Sequence, residues 1–100
     1  VDDWFIGSTA MYGGIPDAIR DLTVKFRYND IESVKALLAQ YPGRIAGFIL
    51  EAERIDPPKD NFLQELQRLA RADGALFILD EMITGFRWHE KGAQHVYGVD

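Results

Sequence analysis

Two adjacent carboxylates, Asp80 and Glu81, follow an apolar run of strand length at residues 76–79. A second apolar run, residues 44–50, closes in the same manner on Glu51. Open parallel sheets bind ligands and carry out chemistry at the carboxyl ends of their strands. If the two runs are parallel strands, both acids emerge at one edge of the sheet. Burying Asp80 there costs desolvation energy, so we expect it to have a charged or hydrogen-bonding partner, with Arg87 as one candidate.

The elements that must position these acids follow from hydrophobic periodicity. Helical spacing alternates with short apolar runs, and this pattern predicts an α/β fold with a mostly parallel sheet, in the order strand, helix, strand, helix, strand. The individual predictions are a strand at residues 23–27, a helix at 31–41 capped by Asn29 or Asp30, a strand at 44–50, a helix at 62–70 capped by Asp60 or Asn61 and ended by Gly74, and a strand at 75–79.

Composition excludes several classes of function. The formal charge of −5 argues against a general nucleic-acid surface, which needs clustered Lys and Arg. The sequence contains no cysteine, which excludes disulfides and thiolate zinc sites and favours a cytoplasmic location. No apolar run reaches the roughly 20 residues of a membrane span. The charge and the short apolar runs lead us to expect no nucleic-acid partner and no membrane partner. The two histidines lack metal-ligand spacing, so we also expect no metal site.

The segment Leu-Asp-Glu-Met-Ile-Thr-Gly-Phe-Arg at residues 79–87, followed by Gly-Ala-Gln at 92–94 and Tyr-Gly-Val-Asp at 97–100, resembles the class III, fold-type I pyridoxal-phosphate-dependent aminotransferases. The glutamate-1-semialdehyde aminomutase branch is the most similar. Residues 3–7 and 26–30 also resemble that branch, so the resemblance spans essentially the whole chain. It implies that residues 1–100 are an incomplete central part of the large cofactor-binding domain.

The resemblance assigns roles to four residues. Asp80 would hold the proton on the pyridine nitrogen of pyridoxal 5′-phosphate, the condition under which this cofactor is an electron sink. Met82 would pack on the cofactor ring if the extended backbone persists beyond Asp80. Glu51 and Thr84 would be further cofactor-site residues. Glu81 would point away from the ring and act as a structural hydrogen-bond or ion-pair partner.

The resemblance also indicates what the sequence lacks. The Schiff-base lysine of the family lies beyond the position of Asp100, and no lysine here has its sequence context; the four are Lys25, Lys35, Lys59 and Lys91. We therefore expect no catalytic residue within this chain, and no activity from it alone. The whole protein is expected to transfer an amino group between a small-molecule amino donor and a carbonyl acceptor, as a homodimer.

Two alternatives come from other classes. An apolar strand ending in Asp-Glu is also typical of the Walker B strand of nucleotide hydrolases, where Asp80 would hold Mg²⁺ and Glu81 would polarise water. That function needs a Gly-x-x-x-x-Gly-Lys-Ser/Thr loop, which this sequence lacks. The other alternative is a non-catalytic structural fragment, whose exposed strand edges would favour association.

Overall fold

Two parallel strands connected through a helix form the centre of the structure, a computed structural model that describes residues 13–100. The family-like residues 3–7 therefore lie outside the described part. The elements in chain order are α1 (Asp17–Arg20), α2 (Ile31–Gln40), β1 (Gly47–Glu51), α3 (Phe62–Ala72), β2 (Leu76–Asp80) and α4 (Ala93–Val96). The predicted α/β architecture is confirmed as a two-stranded parallel sheet.

The third predicted strand, residues 23–27, is wrong: the chain is irregular there. The sequence alternates as a strand would, but Phe26 is placed by ring packing, edge-on to Phe48 with centroids 5.8 Å apart. The backbone N–H of Arg27 donates to Ser33 Oγ at 2.9 Å, at the start of α2. The Phe26 side chain is thus held by ring packing. The Arg27 backbone N–H, which could have bonded to a neighbouring strand, bonds to the start of α2 instead.

The start of α2 follows the predicted capping chemistry. Asp30 is the N-cap, and its Oδ1 accepts from the N–H of Ser33 at 3.2 Å. Asn61 is the N-cap of α3 as expected, but its φ of 57° is left-handed and its side chain makes no capping bond. Asparagine adopts the left-handed conformation more readily than most residues. This backbone preference explains why asparagine occupies the N-cap position although its side chain makes no capping bond.

We expect Asp30→Ala to lower the free energy of unfolding by about 1 kcal/mol, because the part-buried N–H of Ser33 loses its side-chain acceptor. Urea unfolding followed by circular dichroism measures this. Asp30→Asn keeps a side-chain oxygen and should cost clearly less. An equal loss in both variants would show that the charge of Asp30, rather than its capping bond, stabilises the helix.

The sheet buries one face and leaves the other open. Phe48 and Leu50 of β1 face the helices, where α2 and α3 supply most of the core. On the opposite face Leu76 and Ile78 of β2 are 67% and 44% exposed. The buried core residues are Val34, Phe48, Leu50, Phe62, Leu63, Leu66, Ala70, Ala75 and Val99.

Among residues 13–100, no helix has the length and apolar character needed to cross a bilayer.

Candidate functional site

The acids that end the two strands are direct neighbours. Glu51 pairs with Asp80 in the parallel register, and the N–H of Ala52 extends the ladder by donating to the Asp80 carbonyl at 3.4 Å. Because side chains alternate along a strand, both acids lie on the open face with Ile49 and Ile78. The prediction that both carboxylates emerge at one edge is confirmed.

Asp80 is half-buried, and its partner is a backbone group. Its Oδ1 accepts from the N–H of Met82 at 2.9 Å. Arg87, one candidate partner, is exposed and forms no ion pair within residues 13–100. The side chain of Glu51 likewise has no hydrogen bond or ion pair in the described part of the chain. Within residues 13–100, neither of these two neighbouring acids is paired with a cationic side chain, and the negative charge at this edge attracts a cationic ligand group.

Met82 does not continue the strand. The backbone turns after Asp80, and Met82 is 93% exposed. Met82 would share a side with Asp80 only if the extended backbone continued beyond Asp80. This condition is not met, because β2 ends at Asp80 itself. An exposed thioether beside the open face remains free to contact a ligand.

Glu81 and Thr84 are joined to each other behind the turn. Thr84 is 3% exposed, and its hydroxyl donates to Glu81 Oε1 at 3.0 Å. The backbone N–H of Ala93 donates to the same oxygen, and Gln94 Nε2 donates to Oε2 at 3.1 Å. Glu81 is therefore the structural hydrogen-bond partner that the sequence predicted, and it binds the Thr84 hydroxyl.

Two glycines make room for this arrangement. A Cβ at Gly85 would lie 2.8 Å from the Glu81 carbonyl oxygen. A Cβ at Gly92 would overlap the Glu81 carboxylate. Gly92 also has φ 81° and ψ 173°, a backbone region that is essentially restricted to glycine. In the sequence, the need for residues without a Cβ next to Glu81 was indicated only by the glycines in the segment after β2.

A second carboxylate, Glu53, connects the loops that follow the two strands. Trp88 Nε1 donates to Glu53 Oε2 at 2.9 Å, and the Tyr97 hydroxyl donates to the same oxygen. Burial and then the bond to Glu53 raise the pKa of the Tyr97 phenol. These partners are 35 and 44 residues from Glu53, a separation at which local sequence patterns carry no information.

The loop after β1 is also held from the other side. The Tyr28 hydroxyl donates to the Ala52 carbonyl at 2.7 Å. Asn29 Nδ2 donates to the Pro57 carbonyl at 2.9 Å, and Asn29 Oδ1 accepts from the N–H of Lys59 at 2.8 Å. The backbone beside Glu51 is therefore fixed by packing rather than by the loop's own sequence.

We expect the free energy of unfolding to fall as pH rises above the ordinary phenol pKa of 10.0. Burial, and then the charges of Tyr97 and Glu53, raise the pKa of Tyr28 in the folded state. The unfolded phenol therefore loses its proton first, so this contribution is fully present below that pH and declines above it. Chemical unfolding of Tyr28→Phe and the parent protein across this range tests it; an equally steep decline in both would contradict the assignment to Tyr28.

The two histidines form no metal centre in the part of the chain that the structure describes. Their rings stack with centroids 4.1 Å apart, and His89 Nδ1 accepts from the N–H of Lys91 at 3.0 Å. Within residues 13–100, no group of three or more His, Cys, Asp or Glu side chains is arranged to hold a metal ion.

The residues at the sheet edge suit the pyridine nitrogen of pyridoxal phosphate. Asp80 is oriented through one oxygen by a backbone N–H, while its other oxygen has no partner within residues 13–100. A half-buried carboxylate with one uncommitted oxygen can accept a hydrogen bond from a protonated ring nitrogen and stabilise its charge. Glu51, its paired neighbour, adds negative charge at the same edge.

Comparison with known proteins gives consistent matches. The chain is 47% identical to the glutamate-1-semialdehyde 2,1-aminomutase of Acetivibrio thermocellus, over 95% of the chain and 25% of that protein. It is 44% identical to the enzyme of that name from Aeropyrum pernix and 46% identical to the one from Hyperthermus butylicus, over 87% and 86% of the chain and 21% of each relative. No family model matches the chain. The chain thus spans about a quarter or less of the length of these curated relatives.

Proposed function

Because this chain is related to the glutamate-1-semialdehyde 2,1-aminomutases, a branch of the class III pyridoxal-phosphate-dependent aminotransferases, we propose that the whole protein moves an amino group with the help of pyridoxal 5′-phosphate. The observation that carries the proposal is the pair of acids, Glu51 and Asp80, at the carboxyl edge of two parallel strands. Open parallel sheets bind ligands at this edge, and the family-like segment begins there, which supports the proposal.

Asp80 is the central residue of this proposal. Pyridoxal phosphate, when bound, supplies an electron sink for the bonds of an amino substrate. Asp80 keeps a proton at the ring nitrogen, because a carboxylate that accepts a hydrogen bond from that nitrogen stabilises its protonated form. Its position on a strand, with Oδ1 held by the N–H of Met82 at 2.9 Å, limits the orientations open to it.

The other proposed site residues act less directly. Glu51 contributes charge beside Asp80 and no described side chain neutralises it. Met82 is exposed and can pack against a flat ring. Thr84 binds Glu81 through its hydroxyl, so we propose that its part in the site is to shape the turn that carries Met82.

The composition of the site requires residues that this chain does not contain. No lysine of the chain has the sequence context of the family's Schiff-base lysine. Lys35, for example, lies on α2, where its Nζ is 3.3 Å from Glu32 Oε1. We propose that residues 1–100 are the central part of a large cofactor-binding domain, and that this chain alone is inactive. We further propose that the whole protein is a homodimer that acts on small-molecule amino donors and carbonyl acceptors.

The Walker B alternative fits the structure less well. Polarising water would require an available Glu81 carboxylate beside the metal ligand. Here both oxygens of Glu81 accept bonds from its own loop, from Thr84, Ala93 and Gln94. That carboxylate is engaged in holding the turn.

The proposal is tested by adding pyridoxal phosphate to the purified whole protein and following the visible absorbance of the bound cofactor. We expect saturable binding, and a change of absorbance when an amino donor or glutamate-1-semialdehyde is added. Conversion of glutamate-1-semialdehyde without a second substrate would indicate an aminomutase, whereas dependence on a separate carbonyl acceptor would indicate a transaminase. Absence of cofactor binding would contradict the proposal.

A further inference from the structure

The residue after Asp80 holds an unusual concentration of hydrogen bonds for a surface loop. Glu81 accepts from a hydroxyl, a backbone N–H and a side-chain amide, which belong to Thr84, Ala93 and Gln94. These donors lie three, twelve and thirteen residues further along the chain. One carboxylate therefore closes the whole segment between β2 and α4.

The backbone of Glu81 closes the nearer part of this segment. The N–H of Gly85 donates to the Glu81 carbonyl at 2.8 Å, which forms a turn over residues 81–85. The second residue of that turn is Met82, whose N–H donates to Asp80 Oδ1 at 2.9 Å. The side chain of Glu81 thus secures the same turn that presents a donor to Asp80.

The two glycines show that this arrangement tolerates little displacement. At Gly85 a Cβ would come within 2.8 Å of the Glu81 carbonyl oxygen, and at Gly92 it would overlap the carboxylate. The chain therefore approaches the Glu81 carbonyl closely at Gly85 and the Glu81 carboxylate closely at Gly92. The position of the Met82 N–H is therefore coupled to Glu81.

We propose that Glu81 is a positioning residue: by closing residues 81–94 around its carboxylate, it fixes the Met82 N–H that orients Asp80. Only the consequence of this inference rests on the proposed function: the cofactor would bind to an Asp80 carboxylate that is already oriented. Glu81 does not touch the cofactor in this scheme. It acts through the turn, and its effect should appear in the protein before any cofactor binds.

Amide hydrogen exchange of the protein without cofactor provides the first measurement. We expect Glu81→Ala to speed exchange at Met82 and at Ala93 by about tenfold or more, and Asp80→Ala to do so at Met82 alone. Glu81→Gln should restore most of the protection, because an amide oxygen can still accept from the Ala93 N–H. Glu65→Ala, which removes a half-buried acid paired with Arg68 on α3, is the matched control and should leave both amides protected.

Pyridoxal-phosphate affinity of the whole protein, followed by absorbance, provides the second measurement. Glu81→Ala should weaken it by about tenfold or more, with recovery in Glu81→Gln. Faster exchange at Ala93 with unchanged exchange at Met82 would overturn the proposal, since Glu81 would then only anchor α4. If Glu81→Ala does not fold, Thr84→Val removes one donor and should raise Met82 exchange; unchanged exchange there would also overturn it.

These outcomes separate the two proposals. If the unaltered protein fails to bind pyridoxal phosphate, the proposed function fails, while exchange at Met82 still decides the role of Glu81. If the unaltered protein binds the cofactor and Glu81→Ala binds it equally well, the positioning role fails and the proposed function stands.

Discussion

Replacing Asp80 with asparagine is expected to lower the turnover of the whole protein by about 100-fold or more, the range seen when one preorganised electrostatic partner is lost. Asparagine has nearly the same shape, but it is neutral and cannot hold a proton at the pyridine nitrogen. The electron-accepting capacity of the cofactor depends on that proton. The loss should therefore fall on the chemical step rather than on folding.

The local structure should survive this change. Asp80 Oδ1 accepts from the Met82 N–H, and the amide oxygen of asparagine can accept the same bond. Steady-state kinetics and a thermal melt measured together distinguish the two effects. We expect kcat to fall with little change in the melting temperature. Near-normal turnover in Asp80→Asn would contradict the role given to this carboxylate.

Glu51→Gln is the matched control on the neighbouring strand. It removes the same charge at the paired position of the register, and the Glu51 side chain has no hydrogen bond within residues 13–100 to lose. We expect a loss clearly smaller than that of Asp80→Asn, because Glu51 contributes only to the field at this edge. Equal losses would mean that the two acids act as one charged unit.

Replacing Gly92 with alanine is expected to lower the free energy of unfolding by about 3 kcal/mol or more. The backbone angles there, φ 81° and ψ 173°, cost a residue with a Cβ about 1–3 kcal/mol. The new Cβ would also displace the Glu81 carboxylate from its donors, and leaving a buried donor unpaired costs about 1–3 kcal/mol.

Gly74→Ala separates the two contributions. Gly74 also has a positive φ, 77°, but a Cβ there would meet nothing within 4 Å. Only backbone strain of about 1–2 kcal/mol should remain. Urea unfolding of both variants gives the comparison. A loss at Gly92 no larger than the loss at Gly74 would show that Glu81 can move aside, which would weaken its proposed positioning role.

The local hydrophobic pattern of the sequence predicted much of the fold. The apolar stripes of α2 and α3 and the short run at β2 have periods that a sequence records directly, so these elements were predicted within a few residues of their observed bounds. Parallel pairing followed, because a strand, a helix and a strand in succession have few ways to pack. The common edge of Glu51 and Asp80 was a consequence of that topology.

The finer contacts depended on packing between distant residues. Residues 23–27 have the alternation of a strand, yet Phe26 packs against Phe48 and the backbone turns to the start of α2. The bond between Tyr97 and Glu53 joins groups 44 residues apart. No local pattern encodes such contacts, because they form only once the elements between them have packed.

The sequence by itself determined which residues could do chemistry here: an acid at the end of each of two parallel strands, in a family-like segment. Only the tertiary structure decided how the acids are held. It gave Asp80 a backbone N–H as its partner rather than the candidate Arg87, turned Met82 away from the strand, and bound Thr84 to Glu81. The reason is that periodicity reports which face a residue occupies, whereas a hydrogen-bond partner is selected by the approach of two chain segments in space.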